Sequence, residues 1–218
     1  MSIELANKKS ATADEKLLNI LRNELLIAKE MLKGISNAFN ALGKGEYEAV
    51  RWLFEEVRKS KENAVLLQRS FLDYFSAVAP SLYSKEEWLG VSSKMLGVLD
   101  KLGGVTYRVE YLVSRSWSVP MDIQTVLVDM VVMLISMMDE YMAMINALTR
   151  GKATEIRGRI SVIEASIDSK YREATFKILE ANISASLMIL LLSIAEMLED
   201  VSDLVDSAAD DIYLLAVV

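Results

Sequence analysis

The chain has 218 residues, 52% of them hydrophobic and 25% charged, with a net charge of −7 and a pI near 4.9, enough apolar material for one large core or two small ones and too much for a disordered chain. The absence of cysteine and histidine excludes disulfides, thiol nucleophiles, imidazole relays, Ser-His-Asp triads and the Glu-x-x-His ligands of di-iron bundles. Any bound metal is therefore oxygen-ligated, which favours Mg²⁺, Ca²⁺, Mn²⁺ or iron in its ferric form, and the acidic balance without a basic stripe argues against nucleic acid as a partner.

Apolar residues recur at three- and four-residue spacing almost throughout, with only two prolines and nine glycines as punctuation, so an all-α chain is expected. Met1 to Asp14 lacks the apolar stretch of a signal peptide, which leads us to expect a cytoplasmic protein. The first helix begins near Asp14 and ends at Gly43-Lys44-Gly45; the second runs from about Glu46 to Val78, before Pro80. Ser84-Lys85-Glu86-Glu87 has capping-box spacing and starts a third helix that ends near Trp117. A fourth opens at Asp122 and ends around Thr149, a fifth starts near Thr154, and the last break falls around Asn182. Six such helices of roughly thirty residues would each be about 45 Å long. The apolar runs Met130 to Met138 and Leu187 to Leu192 fall short of the ~20 residues a spanning helix needs. No helix pairs a basic face with an apolar one as lipid-binding helices do, so any membrane association should come through a protein partner.

The breaks divide the chain into two three-helix halves, residues 1–118 and 119–218, which read as an internal repeat within one unit. Laying Gly45 on Gly151 brings Arg51 onto Arg157, Phe54 onto Ile160, Val57 onto Ile163 and Glu62 onto Asp168. A second offset lays Leu99, Asp100 and Gly104 on Leu198, Glu199 and Asp203. The second half then carries Glu164, Asp168, Glu199 and Asp203 where the first has Arg58, Glu62, Asp100 and Gly104. The plainer account of Arg58 and Glu62 is an exposed pair four residues apart, worth about 0.3–0.5 kcal/mol.

The last helix carries an acidic ladder from Glu196 to Asp211, in which Glu196/Asp200, Glu199/Asp203 and Asp206/Asp210 each stack on one face. Each stacked pair costs about 0.2–0.5 kcal/mol, so a cation or solvent should compensate it. The ladder's wheel places Leu198, Val201, Leu204, Val205, Ala208 and Ile212 opposite the acids, as a solvated face would. Glu164 and Asp168 lie beside the stripe Ile160, Ile163, Ile167 and Tyr171, where a neighbouring helix would bring further carboxylates within reach. The methionines are expected to fill the core, and the three tryptophans, each in a different helix, to serve as packing residues. No phosphate loop, Ser-x-x-Lys motif or nucleophile elbow is present, so no enzyme is expected.

Two three-helix repeats with Ile163-Glu164-Ala-Ser-Ile-Asp168 and Leu198-Glu199-Asp-Val-Ser-Asp203 followed by Leu204-Val-Asp-Ser-Ala-Ala-Asp resemble the PhoU-like family over nearly the whole chain. The likeness is greatest to its short, two-repeat phosphate transport regulators associated with Pit-type permeases. The resemblance implies two tandem three-helix bundles and a non-catalytic, regulatory role at the cytoplasmic face of a phosphate transporter, reached directly or through its regulatory partner. It also implies carboxylate motifs able to hold metal. Carried over, the ligands are Glu164, Asp168, Glu199 and Asp203, with Asp206 or Asp210 as additions and Glu62 and Asp100 as weaker first-half positions. A homo-oligomer is expected as well. The alternatives are a carboxylate-only metal-dependent hydrolase or metal store, and a ligand-free helical scaffold.

Overall fold

The computed structural model describes residues 2–44, 47–148 and 153–217, and within these the side chains other than those of 2–12, 43–44, 47–53, 56 and 217. The described residues form six α-helices: α1 (Ser2–Lys44), α2 (Tyr47–Val78), α3 (Lys85–Ser114), α4 (Met121–Ala147), α5 (Ala153–Glu180) and α6 (Ala185–Val217), with a short 3₁₀ turn at Ala79–Ser81. The all-α expectation holds. α1 starts well before Asp14, and the expected ends at Gly45 and Thr149 lie outside the described residues.

Two helix ends depart from the expected chemistry. Ser84 is the N-cap of α3, but its side chain makes no capping hydrogen bond, so the capping box does not close. α3 stops at Ser114 rather than Trp117. The Ser116 N–H donates to the Val113 carbonyl (3.0 Å) and the Trp117 N–H to the Leu112 carbonyl (3.1 Å), the paired bonds of a Schellman motif. Ser116 takes the left-handed conformation this requires, at φ 52°. Trp117 closes the motif edge-on against Tyr111, ring centroids 5.8 Å apart.

α1, α2 and α3 pack on one another, as do α4, α5 and α6; the halves meet where α1 lies on α4 and α3 on α6. The seam of α1 is a seven-residue repeat, Leu17, Leu21, Glu24, Ala28, Met31, Ile35 and Ala38, every member buried and one of them charged. The α3/α6 junction depends on small residues. A Cβ on Gly97 would sit 3.1 Å from Leu204, one on Gly104 2.8 Å from Met197, and one on Gly90 against the Asp211 carboxylate. These three glycines recur at seven-residue intervals, as do the three residues they face. Gly104 is therefore a close-packing residue of the junction.

α4 is more apolar than its short runs suggest: at a mean hydropathy of 1.7 it is, by length and composition, long and apolar enough to cross a membrane. Here it packs on α1, α5 and α6. Three of its four acids pair with neighbouring helices: Asp129 with Lys170, Asp139 with Lys29 and Glu140 with Arg159. Met130, Met137, Met138 and Met144 are buried, with Met133 and Met142 packed against the core. Trp88 is buried and Trp117 half-buried, while the side chain of Trp52 lies outside the described ones.

Candidate functional site

α5 and α6 run antiparallel, and their register follows from side-chain pairs. Arg157 on α5 meets Asp206 on α6 through two parallel bonds, Nη1 to Oδ1 at 2.6 Å and Nη2 to Oδ2 at 2.7 Å, while its Nε donates to Asp210 at 2.6 Å. Ser161, one turn on, lies 3.3 Å from the same Asp206 carboxylate and accepts from Arg157 Nη1 at 2.5 Å. Partial burial opposes the Arg157 charge, but the bonds to Asp210 and Asp206 outweigh it and hold its pKa above the ordinary value. Further along the same register Glu164 comes level with Asp203, and Asp168 with Glu199. The two sequence motifs therefore meet at the α5/α6 interface.

Their electrostatics record the encounter. The Glu164 carboxyl is pushed up first by partial burial and then by the charges of Asp206, Asp203 and Asp168. Glu199 is raised by burial, then by Asp203, Asp200, Asp168 and Glu164. Asp203 is raised by burial and by Asp200, Asp168 and Asp206. Among the described residues no salt bridge forms to Glu164, Glu199 or Asp203, whereas Asp168 pairs with Arg172 one turn along α5 at 2.7 Å.

The ladder expected to meet solvent or a metal is, over much of its length, neutralised by neighbouring helices. Lys101 of α3 reaches Asp200 at 2.5 Å, Lys94 of α3 reaches Asp211 at 2.6 Å, and Arg157 takes Asp206 and Asp210. Asp206 thus serves as an arginine partner in this arrangement. The apolar face opposite the ladder is as expected, with Leu198, Val201, Val205, Ala208 and Ile212 buried. Without an ion pair among the described residues stay Glu164 and Glu199, both half-buried, and the exposed Asp203 and Glu196; Arg157 acts on Glu164 only as a more distant compensating charge. The donor chemistry of Glu164, Glu199 and Asp203 suits a hard cation, all oxygen and doubly bounded by helices. No three carboxylates among the described residues yet stand close enough to share one. A cation would have to draw the side chains inward.

The matching place in the first half has the opposite character. Arg58 does not pair with Glu62; its guanidinium takes Glu55 at 2.8 Å and Glu110 of α3 at 3.4 Å, because Glu55 lies one turn back and Glu110 faces it from α3. Glu62 is exposed, and Asp100 pairs with Lys61 at 3.5 Å. Between α2 and α3 opens a groove of about 500 Å³ whose lining includes Phe54, Arg58, Lys61, Tyr107 and Tyr111. Sequence reasoning found the carboxylates but missed Arg157, Lys94 and Lys101. Their signal was available in part: Arg157 stands one turn before Ser161 and two before Glu164 on the same face.

No family model matches the chain, and no curated protein matches it. Solved structures do. A PhoU-like protein from Shewanella oneidensis MR-1 superposes with a TM-score of 0.76 at 14% identity, covering 92% of this chain and 98% of that one. A second structure from the same organism, described as a candidate PhoU-like phosphate regulatory protein, superposes with a TM-score of 0.74 at 14% identity over 91% of this chain and 98% of the other. At that identity the likeness is one of fold: this chain has the six-helix PhoU-like architecture over the 91–92% of its length that superposes.

Proposed function

We propose that this chain is a regulator of inorganic phosphate transport that acts by binding and not by turnover. In this reading it docks, in the cytoplasm, on a phosphate transporter of the Pit type or on that transporter's regulatory partner, and takes a hard cation at the α5/α6 carboxylates. The observation that carries the reading is the crowding of Glu164, Glu199 and Asp203, which have no salt bridge among the described residues and whose pKa values neighbouring acids push up, with Asp168 beside them, on a fold shared with PhoU-like proteins. Carboxylates that raise one another's pKa in a half-buried interface are stabilised by a cation that neutralises them. Such a cation would also supply the positive charge on which phosphate, otherwise repelled by bare carboxylates, could sit. For a docking partner, or for a second copy of the chain, the tip of α5 and α6 offers exposed Phe176, Leu179 and Ile189.

Elemental analysis and calorimetric titration with Mg²⁺, Ca²⁺, Mn²⁺ and ferric iron test the reading, with Glu199→Gln/Asp203→Asn as the comparison. Stoichiometric metal in the wild type and its loss in the variant are expected, along with phosphate affinity that depends on the metal. Equal phosphate affinity with and without metal would remove the bridge. Turnover of phosphoesters at the loaded site would replace the regulator with a hydrolase.

A further inference from the structure

Every buried side-chain polar atom without a hydrogen-bond partner among the described residues belongs to one of three residues: both carboxylate oxygens of Glu24, the amide oxygen of Gln68 and the hydroxyl of Tyr141. These residues lie within about one helical turn of one another along the bundle. Gly34 of α1 faces Val57 of α2; carrying that antiparallel register ten residues back along α1 brings Glu24 level with Leu67 and Gln68. Gln68 in turn donates to Ser92 of α3 at 3.0 Å. On the other side, Arg22 bonds Asn146 at 2.9 Å and Lys29 pairs with Asp139, bracketing Glu24 and Tyr141 on the α1/α4 seam. Tyr141 lies within electrostatic reach of both Glu24 and Asp211, and burial followed by those two charges raises its pKa.

The layer is short of donors. If Glu24 is ionised, three oxygens can only accept and the phenol alone can donate. One added proton would balance it: a protonated Glu24 gives the layer a second donor beside the Tyr141 hydroxyl, enough for side-chain rotation to pair Glu24 with Tyr141 and Gln68, whose amide already donates to Ser92. We propose that Glu24, Gln68 and Tyr141 form an internal proton-binding site that fastens α1 and α2 of the first half to α4 of the second. Ionising Glu24 then loosens the junction between halves.

No described cation stands ready to replace that proton. α1 packs on α2, α3, α4 and the Ala79–Ser81 turn. At this level α2 presents Gln68. α3 presents Ser92 and Lys94, the latter held by Asp211 of α6 and the Ser207 carbonyl. α4 presents Tyr141, Asp139 and Glu140, the two acids being committed to Lys29 and Arg159, and the turn carries no titratable group. On α1 itself Arg22 is taken by Glu15, Asn19 and Asn146. Burial alone pushes the Glu24 carboxyl up to about 8. Because the folded state holds this proton more tightly than the unfolded one, stability is full below the ordinary glutamate range and is lost as pH rises toward 8.

Two measurements test the site. Infrared spectroscopy at pH 7 should show the carbonyl band of an un-ionised carboxylic acid in the wild type and lose it in Glu24→Gln. Urea unfolding between pH 5 and pH 8 should show the folding constant of the wild type falling by up to about tenfold per pH unit relative to Glu24→Gln. The variant's amide keeps both a donor and an acceptor in place. Absence of the band in the wild type, or parallel pH profiles for the two proteins, would overturn the proposal. Recovery of wild-type stability at pH 9 on adding KCl or CaCl₂, with no effect on Glu24→Gln, would also overturn it, because a metal cation would then be the ligand.

Discussion

Arg157 shows how much one side chain can decide. It gathers Asp206 and Asp210 from α6 and Ser161 from its own helix, with the guanidinium and Asp206 both largely shielded. Arg157→Gln should lower stability by about 1–3 kcal/mol, since it leaves a partly buried carboxylate without its charged donor. It should also raise the Glu164 pKa further, because the Arg157 charge now holds it down, a shift that NMR titration of the side-chain carboxyls would follow. Ser116 offers the opposite case. A serine held at φ 52° bears a strain glycine avoids, so Ser116→Gly should stabilise the protein by about 0.5–1 kcal/mol in thermal unfolding. The role of Arg157 was legible only in part, and that of Ser116 not at all. Arg157 stood in plain view, but the register of α5 against α6 comes from three-dimensional packing, and a serine sends no signal of a left-handed cap.

Among the elements, α2 and α5 occupy matching places with inverted electrostatics. On α5 and α6 like charges crowd; on α2 and α3 Arg58 and Lys61 are interleaved with Glu55, Glu110 and Asp100. Because Glu199 and Asp203 titrate above their ordinary ranges, the folded protein prefers them protonated, and their contribution to stability falls as pH rises through the carboxylate range. Glu199→Gln/Asp203→Asn should therefore melt higher than the metal-free wild type at pH 7 and flatten the acid side of its stability profile. The helices themselves, and the spacing of acids within each motif, were legible because both depend on local period, whereas the meeting of the two motifs depends on the packing of α5 on α6. The glycines of α3 were not legible either. Gly104 reads along the sequence as a missing carboxylate and in space as room for Met197. Gly97→Leu should cost about 1–3 kcal/mol by forcing α3 from α6, measured by urea unfolding.

At the scale of the molecule, each helix at the junction lies on its own counterpart, α1 on α4 and α3 on α6. That is the contact pattern of a two-fold dimer compressed into one chain. The contact is nevertheless unequal, because α3 contributes the hollows at Gly90, Gly97 and Gly104 and α6 the bulk of Asp211, Leu204 and Met197. Two copies of the first half would set hollow against hollow, and two copies of the second would drive bulk against bulk. Co-produced fragments 1–118 and 119–218 should accordingly assemble as a one-to-one pair in size-exclusion chromatography, with each fragment alone failing to form the matching homodimer. A frame that looks symmetric in outline thus behaves as a lock and its key, and two halves shaped in this way are not interchangeable.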